Sequence, residues 1–164
     1  MVTNIIIDGH DKSGKSTIAR ALSTALAIPV FKRTNVKFSY DFAIDLLYSV
    51  EGYCQFLEQT HYKVIFDRLY PSEYAYGITY KRNIMLEKIL ELDKRFAKLE
   101  TVIIICEKSK KEYETDELIE IEKYDELKFL FNQFLNMTSC KSLHLNTDNQ
   151  NIKLQLKTIL SWLM

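Results

Sequence analysis

The sequence predicts an α/β fold, a three-layer sandwich in which a five-stranded parallel sheet carries helices on both faces. Three observations predict it. Short apolar runs alternate with longer segments of helical spacing along the whole chain. The clearest runs are apolar throughout, as strands covered on both faces are. One strand-to-helix turn also carries Gly9-His10-Asp11-Lys12-Ser13-Gly14-Lys15-Ser16, which fits the phosphate-loop pattern G-x-x-x-x-G-K-[ST].

The first run, Ile5-Ile6-Ile7, ends at Asp8 and enters that loop directly. Beyond the loop, Ile18, Leu22, Ala25 and Leu26 repeat at helical spacing. Ile28-Pro29-Val30-Phe31 reads as a short second strand that delivers Lys32 and Arg33, and residues 35–40 read as loop. From Asp41 to Gln59, Phe42, Ile44, Leu46, Leu47, Val50, Tyr53, Cys54 and Leu57 predict a helix weakly interrupted at Gly52. Lys63 to Asp67 is a buried strand ending in a carboxylate, and Leu69 to Tyr80 is a tyrosine-rich loop or short helix. Met85, Ile89, Leu92, Phe96 and Leu99 set a helix over Asn83–Leu99, and Thr101–Cys106 is the next strand. Residues 107–117 are charged and aperiodic, a mobile surface segment in the place of a lid. A helix over Leu118–Met137, a strand over Ser142–Asn146 and a helix from Ile152 onward complete the chain.

These elements form a single domain over residues 1–164, with no repeat, linker or low-complexity stretch. Lys+Arg and Asp+Glu balance at 22 each, so no net field recruits nucleic acid or an acidic membrane. The longest apolar run, Thr101 to Cys106, is far too short to span a bilayer. The first strand starts within a few residues of Met1, leaving no room for a signal peptide. Cys54, Cys106 and Cys140 are odd in number and widely spaced, which suits buried thiols in a reducing cytoplasm. His10, His61 and His144 show no metal spacing and read as structural or solvent-exposed.

The chemistry starts at the loop. In a strand–loop–helix setting, backbone N–H groups and the helix N-terminus form a concave site for phosphate. Gly9, Asp11, Lys12, Ser13, Gly14, Lys15, Ser16 and Thr17 would hold the triphosphate of ATP, with Lys15 on the β- and γ-phosphates. The Ser16 hydroxyl would sit on Mg²⁺, and Asp67, at the end of a buried strand, is placed to hold the same ion. Arg68 beside it offers a fork for phosphate or carboxylate. This is the P-loop NTPase arrangement.

Two motifs in order narrow it further. Gly9 to Thr17, with a carboxylate at the third position, resembles the phosphate loop of thymidylate kinases. Asp67-Arg68-Leu69-Tyr70-Pro71-Ser72-Glu73-Tyr74-Ala75-Tyr76 resembles their D-R-[YH]-x-x-S-x-x-A-Y segment without a gap. The likeness is detailed over the first half and follows only the pattern of elements over the second. The chain is shorter than the usual member, as compact viral nucleotide kinases often are. The resemblance implies phosphoryl transfer from ATP to a deoxynucleoside monophosphate, dTMP by default, and a homodimer packed through helices. It implies that Asp11 accepts from the acceptor's 3′-hydroxyl, that Arg68 clamps the acceptor phosphate and that Asp67 sits by Mg²⁺. Ser72 belongs to the same acceptor segment, and Tyr76 would favour deoxyribose by crowding the 2′ position. Some members carry an arginine inside the loop as transition-state cation; here Lys12 takes that place, and Lys108, Lys110 and Lys111 of the lid would assist it.

A nucleoside kinase must deprotonate a 5′-hydroxyl and usually presents a carboxylate after the second strand. Lys32 and Arg33 stand there instead and suit an anionic acceptor, with Arg33 a second phosphate ligand. The sequence departs from the family at Gly77, where a glutamine often follows the A-Y pair, and it lacks the arginine-bearing aromatic segment that holds thymine in many members. Phe42 and Tyr48 could stack on a base, but both also fit the core face of their helix, the preferred reading. A nucleoside kinase and a non-catalytic nucleotide switch remain the alternatives. A GTPase is disfavoured, because Asp67 is followed by Arg68-Leu69-Tyr70 and N-K-x-D does not occur.

Overall fold

The structure, a computed structural model, describes residues 4–32, 42–112, 121–148 and 151–164, and for residues 42–46 the backbone only. Five parallel strands form one sheet in the order β2-β3-β1-β4-β5. They are β1 (Asn4–Gly9), β2 (Val30–Lys32), β3 (Ile65–Asp67), β4 (Thr101–Glu107) and β5 (Lys141–Asn146). The helices between and after them are α1 (Lys15–Leu26), α2 (Phe42–Thr60), α3 (Tyr70–Thr79), α4 (Leu86–Lys98), α5 (Tyr124–Met137) and α6 (Ile152–Leu163).

The two faces of the sheet sort the isoleucines of β1 by parity, because successive side chains leave a strand on opposite sides. Ile5 and Ile7 pack with Ile65, Val102 and Ile104 against Ile18 and Leu22 of α1 and Ile159 of α6. Ile6 packs with Phe66, Ile103 and Ile105 on the other face, against Leu47 and Val50 of α2, Tyr74 of α3, Phe96 of α4 and Phe131 of α5. Both faces are therefore covered, the condition under which continuous apolar strands are stable. The connection from β1 runs outward to β2, and the chain crosses back to β4 on the other side. The C-terminal ends of β3, β1 and β4 thus flank a topological switch point, where ligands bind in open α/β sheets.

Several elements resolve or correct the sequence expectation. Residues 70–79 form a helix, with Pro71 in its first turn, where a missing N–H costs nothing. Gly52 does not interrupt α2, and no atom lies within 4 Å of where its Cβ would be. Tyr48 is 59% exposed, so it does not join the core face, which runs through Leu47, Val50, Cys54 and Leu57. Glu107 belongs to β4 rather than to a lid, and its buried carboxylate is held by Lys128 at 2.7 Å and His144 at 2.9 Å. Arg33, residues 113–117 of the expected lid and the Phe42 side chain lie outside the described residues. Cys54, Cys106 and Cys140 are buried and free, and His10 is buried while His61 and His144 are exposed, as expected.

Candidate nucleotide site

The loop closes because two glycines take backbone conformations that other residues resist. Gly9 has φ 130°, and a Cβ there would meet the Cys106 carbonyl oxygen of the paired strand at 2.0 Å. Gly14 caps α1 in the left-handed region at φ 83°, so the helix starts with its N–H groups facing the loop. Lys12 also has positive φ, 53°, and stands exposed on the loop.

Lys15, in the first turn of α1, is buried and folded back. Its ammonium donates to the His10 carbonyl and to Ser13 Oγ at 3.3 Å. Burial, with the nearby Arg68 guanidinium adding to it, lowers its pKa to about 8. The His10 ring is wedged against α5, stacked on Tyr124 at 4.7 Å with Nε2 3.3 Å from the Tyr124 carbonyl. Burial lowers its pKa as well, which keeps the ring neutral in a position beside Lys15.

Ser16 and Asp67 meet across the switch point, with Ser16 Oγ donating to Asp67 Oδ2 at 2.5 Å. Among the described residues only Oδ2 of Asp67 is engaged, by Ser16 and by Lys32. That pair fits Mg²⁺, which is held by one or two protein oxygens and completes its shell with water and phosphate. Consistent with so sparse a donor set, the described residues contain no cluster of three or more His, Cys, Asp or Glu able to cage a metal.

Arg68 is the centre of the other half. It follows Asp67 with φ 72°, its N–H bonded to the Ile7 carbonyl at 2.9 Å, which turns the side chain toward the loop. One guanidinium nitrogen donates to the Gly9 carbonyl at 3.2 Å and to Ser72 Oγ at 2.9 Å. The other donates to the Asp11 carboxylate. The guanidinium carbon lies 5.3 Å from the centre of the Tyr76 ring. Burial opposes its charge, but Tyr76, Asp8 and Asp11 outweigh that and hold its pKa above the ordinary arginine value. The Tyr76 hydroxyl donates to Asp11 Oδ2 at 3.1 Å and accepts from the Asp11 N–H at 3.1 Å. Burial pushes the Tyr76 phenol up, so it stays protonated and can donate. Loop residue Asp11 and the 67–76 segment, more than fifty positions apart, are thus one hydrogen-bonded unit.

Asp8 holds that unit in place, and sequence reasoning passed over it. Its wholly buried carboxylate accepts from the N–H groups of Gly9 at 2.8 Å, Leu69 at 3.2 Å and Ser72 at 3.0 Å, and from the Ser72 hydroxyl. It caps the N-terminus of α3 from a different strand, where a carboxylate also meets the positive end of the helix dipole. Ser72, expected on the acceptor side, is buried and spends its hydroxyl on Asp8 and Arg68. Thr17 is exposed on α1, its N–H bonded to the Gly14 carbonyl at 3.1 Å. Lys110 is held by Asp125 at the start of α5, with its ammonium 6.0 Å from the centre of the Tyr124 ring. Gly77 also has a structural reason: a Cβ there would meet Ile84 Cγ2 at 2.2 Å, so the turn after α3 fills the space a side chain would take.

No protein-family model and no curated sequence matches this chain. Solved structures do. The YorR protein of Bacillus subtilis, in complex with phosphorylated GDP, superposes with a TM-score of 0.75 at 21% identity, over 98% of this chain and 95% of that one. The fold is a P-loop NTPase fold. A thymidylate kinase from Ehrlichia chaffeensis gives a TM-score of 0.65 at 14% identity, covering 99% of both chains. A deoxyadenosine kinase from M. mycoides, solved with the products dCMP and dCDP, gives 0.63 at 19% identity over 98% and 97%. The match runs nearly end to end in each case, so the fold likeness extends over both halves of the chain.

Proposed function

We propose that the chain transfers the γ-phosphoryl group of ATP to a deoxynucleoside monophosphate, with dTMP the first acceptor to test. The observation that carries this reading is Asp11, a phosphate-loop carboxylate bound by both Arg68 and Tyr76. A loop built only for a donor has no use for a carboxylate tied to the neighbouring strand's arginine. A loop that also reads an acceptor does. Arg68 would give its fork to the acceptor phosphate, Asp11 would take the sugar hydroxyl, and Tyr76 would lie beside the ribose.

In that reaction an acceptor phosphate oxygen bonds to the γ-phosphorus as the bond from γ-phosphorus to the β–γ bridging oxygen breaks, leaving ADP and a diphosphate. Bound Mg²⁺ would neutralise charge on the β- and γ-phosphates, with Ser16 and Asp67 as its protein oxygens. Lys15 would leave the His10 carbonyl for the β- and γ-phosphates, and Lys12 would stand over the group in transfer. Gly9, Ser13, Gly14 and Thr17 would supply the backbone cradle, and Arg33 a second contact to the acceptor phosphate.

The monophosphate is favoured over a nucleoside because the Arg68 guanidinium, held beside the loop carboxylate of Asp11, offers a fork for an anionic acceptor. Support for the class also comes from the structural neighbours, among them a thymidylate kinase and a deoxyadenosine kinase. A coupled assay of ADP release with ATP and a panel of deoxynucleosides and their monophosphates tests the reading. Turnover is expected with a monophosphate, and with dTMP before purine acceptors. Turnover of thymidine without dTMP would give the role to a nucleoside kinase, and nucleotide binding without any transfer would make the chain a switch.

A further inference from the structure

Lys32 stands in a place for which the phosphate-loop pattern has no use. It is the registered partner of Asp67 across the β2–β3 pair, so the two side chains leave the sheet on one face. That face is the one under α1, because Ile65, two residues before Asp67, packs there with Ile18 and Leu22. Lys32 Nζ lies 3.4 Å from Ser16 Oγ and 3.9 Å from Asp67 Oδ2. The hydroxyl and the carboxylate are themselves 2.5 Å apart. The ammonium therefore caps the same two oxygens that suit a divalent cation. It comes in from solvent on a side chain that is 67% exposed, so it can swing away without disturbing the core.

We infer that Lys32 is a built-in counter-cation of the Ser16–Asp67 pair, which supports a bound triphosphate when no metal is present and competes with Mg²⁺ for the two oxygens. Two positive charges cannot share one carboxylate oxygen without repulsion, so metal entry requires Lys32 to move outward. In exchange, a metal-free triphosphate finds one more cation at its edge than the loop itself provides. Metal dependence of binding is then set partly by a residue on an edge strand, outside the loop. The inference rests on the nucleotide reading of Gly9 to Ser16.

The test is binding rather than turnover. ATP affinity is measured by calorimetry for the native chain, Lys32→Met and Lys32→Arg, each in EDTA and across a Mg²⁺ series. Methionine keeps the apolar stem and removes the charge, and an exposed site tolerates it. The native chain is expected to bind ATP in EDTA, and Lys32→Met to bind it about fivefold more weakly, the scale of one solvent-exposed charge contact. The same variant should reach half-saturation at about threefold less Mg²⁺, so the ratio of metal-bound to metal-free affinity rises. Lys32→Arg should keep the native ratio. An unchanged ratio in Lys32→Met, or one that falls, would overturn the role of Lys32 while leaving the nucleotide site standing. A native chain that binds no ATP under either condition would overturn the nucleotide reading itself, and this role with it.

Discussion

Asp8 and Asp67 stand at the C-terminal ends of neighbouring parallel strands, and both are almost completely buried. They are the same residue at nearly the same height in the sheet, yet they have opposite economies. Asp8 receives three backbone N–H groups and one hydroxyl, with the Arg68 guanidinium 3.7 Å from Oδ1, enough to fill both of its oxygens. Among the described residues Asp67 receives one hydroxyl at 2.5 Å and one ammonium at 3.9 Å, both on the same oxygen. A carboxylate whose acceptor sites are filled from within is part of the frame. One with an oxygen in reserve can take a ligand. The difference separates a strand-end aspartate whose acceptor sites are filled by its neighbours from one that keeps acceptor capacity, and burial does not distinguish them.

The largest effect that could break this contrast is on turnover. Asp67→Asn keeps the size and a contact to Ser16 but removes the charge that a divalent cation needs. We expect turnover to fall by about 10² to 10³, with a melting temperature within about 2 °C of native. Asp8→Asn should do the reverse in kind. Its amide would set N–H against the backbone N–H groups that now point at the carboxylate, leaving buried donors unmatched at a cost of about 3 kcal/mol. For a chain of this length that lowers the melting temperature by about 10 °C. Calorimetric melting of both variants decides it. If Asp8→Asn melts like the native chain, or Asp67→Asn loses as much stability as Asp8→Asn does, the two aspartates are not different in role.

The sequence made one of this pair visible and hid the other. Asp67 was legible because an acidic residue after a buried strand, in a chain with a phosphate loop, has a known chemical use. Asp8 was hidden because its partners Leu69 and Ser72 are some sixty residues away and its donors act through backbone N–H groups, only Ser72 adding its side chain, which leaves little side-chain signature. The strands and the loop were legible for the reason Asp67 was, since Ile5-Ile6-Ile7 and Thr101–Cys106 state their burial in composition. The helix over Tyr70–Thr79 was ambiguous because nearly every residue in it is buried, and a helix covered all round has no amphipathic period. Tyr48 failed for the opposite reason. It lies one residue from the core stripe through Leu47 and Val50, and a 100° step along a helix is enough to turn a ring out to solvent. Lys32 was read as facing an acceptor anion, but strand register, which sequence does not reveal, turns it toward Ser16 and Asp67.

Lys15 sharpens the comparison at its smallest scale, as a fraction of a proton. Like Asp8 it is buried and satisfied from within, through the His10 carbonyl and Ser13, but like Asp67 it has a proposed place beside the nucleotide. Burial holds its pKa near 8, against 10.5 for the free side chain. Between those two values the folded chain binds fewer protons than the unfolded chain, so this group makes stability rise with pH across that window. Below pH 8 the ammonium is charged in both states, and its burial is a standing cost. A triphosphate beside Nζ would supply the negative charge the pocket lacks and return the pKa toward its ordinary value. ATP binding at pH 9 should therefore take up about 0.8 of a proton. Titration calorimetry in two buffers of different ionisation enthalpy reads this directly. Cys106, pushed up to about 12 by burial, and Tyr76, raised by burial as well, stay protonated at pH 9 and do not contribute. Lys15→Arg, charged throughout, should take up almost none. Equal uptake by both proteins would mean that the proton enters elsewhere, and that Lys15 is already fully charged before the nucleotide arrives.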